Sequence, residues 1–152
     1  MYRKKTATSI AAVSALVSCF SFAAVAPAFA DASMDATDDV FWTLTANIND
    51  GQEASFIELM SEMVAATKME AGTKSYEWFR DGNQVSILER YETNDDAGMH
   101  LGNFGANFSE RFMTVLSPTS IQVYGPAEGE VREGLAAFGA VFNGQIGGFV
   151  RY

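Results

Sequence analysis

The chain has 152 residues, 48% of them apolar, with 10 Lys and Arg against 19 Asp and Glu and a formal net charge of −9. That length holds one ordinary domain, and so acidic a surface repels phosphate backbones and anionic lipid, which argues against nucleic acid as a partner. One cysteine, Cys19, and one histidine, His100, leave no thiolate zinc site, no paired-histidine metal helix and no disulfide framework.

The amino terminus reads as a secretory signal. Arg3, Lys4 and Lys5 precede an apolar run from Ile10 to Val25, and Ala28-Phe29-Ala30 supplies a small-x-small cleavage site before Asp31. The expected cut follows Ala30 and gives a periplasmic or secreted protein. A rival reading takes Leu16-Val17-Ser18-Cys19 as a lipobox, with Cys19 lipidated and the protein held at the membrane. After the cut, seven Lys and Arg face nineteen Asp and Glu, a formal charge of −12 with no cysteine. The sequence divides into a signal peptide (1–30), a polar flexible leader (31–39), a core domain (40–125) and a carboxy-terminal helix with a glycine-rich tail (126–152).

Apolar and polar residues alternate from Val40 to Ile48, which predicts a strand with Trp42, Leu44, Ala46 and Ile48 on one face. Asp50 to Gly72 is predicted as a helix. Asp50 and Glu53 resemble a capping box, and Phe56, Leu59, Met60, Met63 and Val64 form its apolar stripe, the methionines as core filler. Gly72 suits its end. Two β-rich runs around Asp81-Gly82-Asn83 predict a hairpin. Thr93 or Asn94 then caps a second helical region reaching Leu116. Within it Gly102 and Gly105 each cost about 1 kcal/mol relative to Ala, which predicts a break or two short helices. Thr119 to Gly125 reads as a strand introduced by Pro118, and Ala127 to Phe138 as a short helix. The order through Gly125 predicts an α+β, ferredoxin-like βαββαβ fold, four antiparallel strands with both helices on one face.

Chemistry-bearing residues are few. On a helix, His100, Asn103 and Asn107 share one face, and Phe104 sets an aromatic edge beside the imidazole. Such a stripe can rim a pocket where a histidine moves protons, although on the residues alone it is more often the pattern of a solvent-facing or merely packed helix histidine. Glu77 and Glu89 on the hairpin can form a carboxylate pair facing a pocket but read more readily as solvent-facing, and Arg151 can hold a ligand carboxylate but reads more readily as the partner of a surface acid. No EF-hand loop or Gly-x-Ser-x-Gly elbow occurs.

The run Leu88-Glu89-Arg90-Tyr91-Glu92-Thr93-Asn94-Asp95-Asp96-Ala97-Gly98-Met99-His100-Leu101 resembles the Glu-x-Trp/Tyr, acidic-Ala, His signature of the antibiotic biosynthesis monooxygenase-like family. The resemblance covers Val40 to Gly125. It implies a homodimeric α+β barrel with a pocket between sheet and helices. Its enzymes oxygenate quinols or small aromatic molecules without metal, flavin or other cofactor. By the same resemblance His100 would handle protons, Tyr91 would be an aromatic wall and Asn47 a polar contact from the first strand.

Overall fold

Alternation along the first strand sorts its side chains onto two faces of a sheet, and that sorting sets up the rest of the molecule. The computed structural model describes residues 37–151, so the expected signal, its cut after Ala30 and Cys19 lie outside the described residues. In chain order the elements are β1 (Val40–Ile48), α1 (Glu53–Thr67), β2 (Thr73–Asp81), β3 (Gln84–Tyr91), α2 (Asn94–Asn107), α3 (Ser109–Val115), β4 (Leu116–Tyr124), α4 (Gly129–Ala137) and β5 (Val141–Asn143). The sheet order is β2-β3-β1-β4-β5. The first four strands pair antiparallel, as predicted, and β5 adds a parallel edge beside β4.

On one face, register places Trp42 opposite both Glu89 and Val123, and Glu89 opposite Tyr76. The next row sets Leu44 between Ile87 and Ile121. One apolar cluster gathers Ala46, Phe56, Leu59, Met63, Ile87 and Phe112; a second gathers Val40, Trp42, Tyr91, Val123, Val131 and Leu135. Leu44 packs against both. Burying a side chain such as Leu59 stabilises the fold by about 1.5–3 kcal/mol.

Several boundaries differ from expectation. Helix α1 starts at Glu53 without a side-chain cap, so Asp50 does not close a capping box, and it ends at Thr67 rather than running to Gly72. Val64 is exposed, because the buried stripe runs Phe56, Leu59, Met63 and Thr67. Gly72 instead permits a close approach: a Cβ there would lie 2.0 Å from Asp96 Cγ in the first turn of α2. The hairpin turn forms as predicted, with Gly82 at φ 57°. Thr93 caps α2 by accepting from the Asp96 N–H at 3.2 Å.

The second helical region does divide in two, although not at its glycines. Helix α2 runs through Gly102 and Gly105, and the interruption is Phe108, at φ −128° and ψ −22°. Strand β4 begins at Leu116, before Pro118, and absorbs the proline at a register shift against Thr45 and Ala46. Asp39, expected in a free leader, is buried and bonded to Lys74 Nζ at 2.7 Å. Among the described residues no helix packs on the opposite face of the sheet. There Phe41 stacks on Tyr124 at 5.1 Å, with the Arg90 guanidinium 4.3 Å from the Phe41 ring centre.

Candidate functional site

Two features lie on the helical side of the sheet: a buried polar cluster and an apolar pocket. Helix α2 contributes to both.

The cluster centres on His100, which is 5% exposed. Successive turns after α1, with Glu70 N–H donating to the Thr67 carbonyl at 3.0 Å, deliver the Glu70 carboxylate to one side of the ring. Alternation along β3 puts Val85, Ile87, Glu89 and Tyr91 on the same inward face, so Glu89 arrives from the other side. His100 Nδ1 stands 2.9 Å from Glu70 Oε2, and Nε2 stands 3.2 Å from Glu89 Oε2. The Tyr91 hydroxyl donates to Glu89 Oε2 at 2.8 Å, and Asn103 Nδ2 donates to Glu70 Oε1 at 3.0 Å. Tyr91, Tyr76 and Trp42 enclose the ring, with centroids 5.0, 5.6 and 6.3 Å from it.

Burial works against a charged imidazole, but the Glu89 and Glu70 carboxylates outweigh it and hold the pKa of His100 above the ordinary value. The carboxylates thus favour the protonated ring, with Nδ1 in hydrogen-bond contact with Glu70 and Nε2 within ion-pair distance of Glu89. Burial, reinforced by Glu89, pushes the Tyr76 and Tyr91 hydroxyls far above the usual phenol range. The Tyr76 hydroxyl has Trp78 and Thr67 as polar neighbours, yet neither it nor the Trp78 indole N–H closes a hydrogen bond. Because the carboxylates grip opposite ring nitrogens, they do not converge on one point. Among the described residues no group of three or more His, Cys, Asp or Glu could hold a metal ion.

The pocket, about 320 Å³, opens between the sheet and three helices. Leu44, Pro118 and Ile121 form its floor; Leu101, Phe104 and Gly105 of α2, Phe112 and Met113 of α3, and Gly134, Leu135 and Phe138 of α4 form its walls. It lies where the two apolar clusters meet around Leu44. Beyond the backbone of its own helix and its chain neighbours, neither Gly105 nor Gly134 has an atom within 4 Å of the position a Cβ would take, so both leave room rather than avoid a clash. Ser109 brings the lining its hydroxyl, which donates to the Gly105 carbonyl at 2.8 Å. Recognition here rests on shape and apolar contact, at the small end of the roughly 300–1,000 Å³ typical of small-molecule pockets.

Of the residues expected at a site, His100, Tyr91 and Asn103 come together in the polar cluster. Phe104 faces the apolar pocket and packs edge-on against Phe112 at 5.3 Å. Asn47 does not join them. Strand alternation turns it to the other face of the sheet, where it is exposed. Glu89 is buried at 5% exposure, against the expectation of a solvent-facing pair with Glu77, which is exposed. Its parity with Val85, Ile87 and Tyr91 was the available signal. Glu70 had none, being one acid in a loop.

This architecture is the ferredoxin-like fold of antibiotic biosynthesis monooxygenase-like proteins. Solved structures that share it include MupZ from Pseudomonas fluorescens, at 22% identity over 76% of this chain and 96% of that one, with a TM-score of 0.68. SnoaB, a cofactor-independent oxygenase from Streptomyces nogalater, matches at 11% identity over 62% of this chain and 98% of that one, TM-score 0.52. A Nitrosomonas europaea protein assigned to the antibiotic biosynthesis monooxygenases matches at 14% identity over 59% and 91%, TM-score 0.53. At these identities the likeness is one of fold. No protein-family model and no curated protein matches the sequence.

Proposed function

We infer that the mature chain is an exported, homodimeric protein that binds a small, neutral aromatic or quinone-type molecule between its sheet and helices. The observation that carries this reading is the apolar pocket, kept open by Gly105 and Gly134 and offering no free side-chain donor. Binding is favoured over proton abstraction because no acid or base lines the pocket and both His100 nitrogens already face carboxylates. Export rests on the amino-terminal signal pattern, and the intact mass of the secreted product checks the cut after Ala30 against lipidation at Cys19. Dimerisation rests on the sheet face that carries no helix among the described residues, where Phe79 is 55% exposed. Solution mass at micromolar concentration should be twice that of the chain.

The second reading is oxygenation of a quinol without a bound cofactor, the substrate anion itself reducing dioxygen. It is favoured by the buried chain from Tyr91 through Glu89 and His100 to Glu70, and by the fold shared with SnoaB. Two measurements test the readings. Titration with indole, a neutral two-ring probe, should shift the methyl NMR signals of Leu44, Leu101, Ile121 and Leu135; shifts confined elsewhere would contradict the pocket reading. Oxygen uptake with a naphthoquinol should be at background for both the native protein and His100→Ala. Uptake by the native protein alone would establish the oxygenase reading instead.

A further inference from the structure

Helix α2 joins the two features. His100 is followed by Leu101, and Phe104 and Gly105 come one turn later, so the residue tied to both carboxylates sits at the head of the pocket wall. The groups facing the ring come from every neighbouring element: Glu70 from the turn after α1, Trp42 from β1, Tyr76 from β2, Glu89 and Tyr91 from β3. Trp42 does not titrate, and both tyrosines are held neutral well beyond the range in which an imidazole loses its proton. Ring titration, raised above the ordinary imidazole value, is thus the event that alters this cluster below the range of the tyrosines.

We propose that His100 is a proton-operated latch on the apolar pocket: the doubly protonated ring fastens α2 to β3 and to the turn after α1, and losing a proton loosens that wall and weakens ligand binding. A neutral imidazole has one donor and one lone pair. Whichever nitrogen keeps its hydrogen, the other presents a lone pair to a carboxylate oxygen at about 3 Å, and two buried anions lose their counter-charge. Asn103, three residues on, still holds Glu70, so α2 is loosened rather than detached. Leu101, Phe104 and Gly105 then lose their fixed positions against Leu44 and Leu135. The released state is the alkaline one, because the carboxylates keep the ring charged above its ordinary pKa.

This latch rests on the pocket reading above, and its test separates the two. The chain has a single histidine, so the imidazole NMR signals report one ring and give its titration midpoint directly. Indole affinity, followed by calorimetry over the same pH range, should fall by about tenfold or more, with the same midpoint, a coupling of ordinary allosteric size. Glu70→Gln removes one carboxylate charge while keeping a polar partner, and it should move both midpoints down together. His100→Gln, if folded, should bind indole with an affinity independent of pH in that window. Binding that stays constant while the ring titrates would overturn the latch and leave the pocket reading intact. Absence of indole binding at any pH would overturn the pocket reading itself.

Discussion

Glu89 Oε2 stands 3.2 Å from His100 Nε2, and both side chains are only 6% exposed. A sheet residue and a helix residue are thereby joined through charge in the interior, where the worth of a pair depends on its being complete. Removing one partner strands the other: Glu89→Ala should cost about 3–5 kcal/mol of stability, far above an average substitution. Urea denaturation of the mature protein measures it. A loss below about 1 kcal/mol would mean that water already solvates the pair.

Stability should also depend on pH through the same ring. The unfolded imidazole titrates near about 6.5, and the folded one is raised above that by its two carboxylates. Its contribution is therefore fully present below the unfolded value and is lost as pH rises through the folded value. The urea midpoint should fall from neutral to mildly alkaline pH, and His100→Gln should flatten that part of the profile. A native midpoint that rises over the window would contradict the assignment of charge.

Tyr76 offers the opposite case. Its buried hydroxyl has Trp78 and Thr67 as polar neighbours but closes no well-formed hydrogen bond with either, so Tyr76→Phe removes a polar group without breaking a strong pair. Thermal or urea denaturation should show a change within about 0.5 kcal/mol or a gain in stability. A loss above about 1 kcal/mol would reveal a bound partner for that oxygen.

Two glycines should respond with opposite sign. Gly102 is exposed on α2 with open space where a Cβ would go, and Gly102→Ala should stabilise by up to about 1 kcal/mol. Gly125 has φ 81°, and a Cβ there would lie 2.1 Å from the Asp39 carbonyl oxygen. Gly125→Ala should therefore destabilise by more than about 1 kcal/mol. Denaturation midpoints of the two variants should fall on either side of the native value.

The elements and their pairing were legible because strand alternation and helical spacing are local. Val40–Ile48, the hairpin about Gly82 and the Thr93 cap all follow from residues within a few positions of one another. The four-strand order followed from them. Strand β5 was not legible: three residues, Val141–Asn143, carry no measurable period, and their parallel partners Gln122–Tyr124 lie about twenty positions earlier in the chain. At the site, helical spacing placed His100 and Asn103 together, but not the acids that define the ring's charge. Glu89 lay on an otherwise apolar strand face, where a lone carboxylate reads as a solvent residue until its cation is known. Glu70 reaches His100 across 30 positions of sequence. The pocket's far wall, Gly134, Leu135 and Phe138, comes from the segment beyond the core pattern, so its glycines could not be recognised as space rather than as breaks.

The pocket itself can be filled without disturbing the fold. Gly105 lies within α2 with nothing beyond its own helix inside 4 Å of its missing Cβ, so Gly105→Leu gains helix propensity while placing a side chain in the cavity. Calorimetric titration of the mature protein and this variant with indole, at a pH that keeps His100 charged, is the decisive comparison. The native protein should bind indole, and Gly105→Leu should lose that binding at undiminished stability. Equal binding by both would place the ligand elsewhere and contradict the pocket reading.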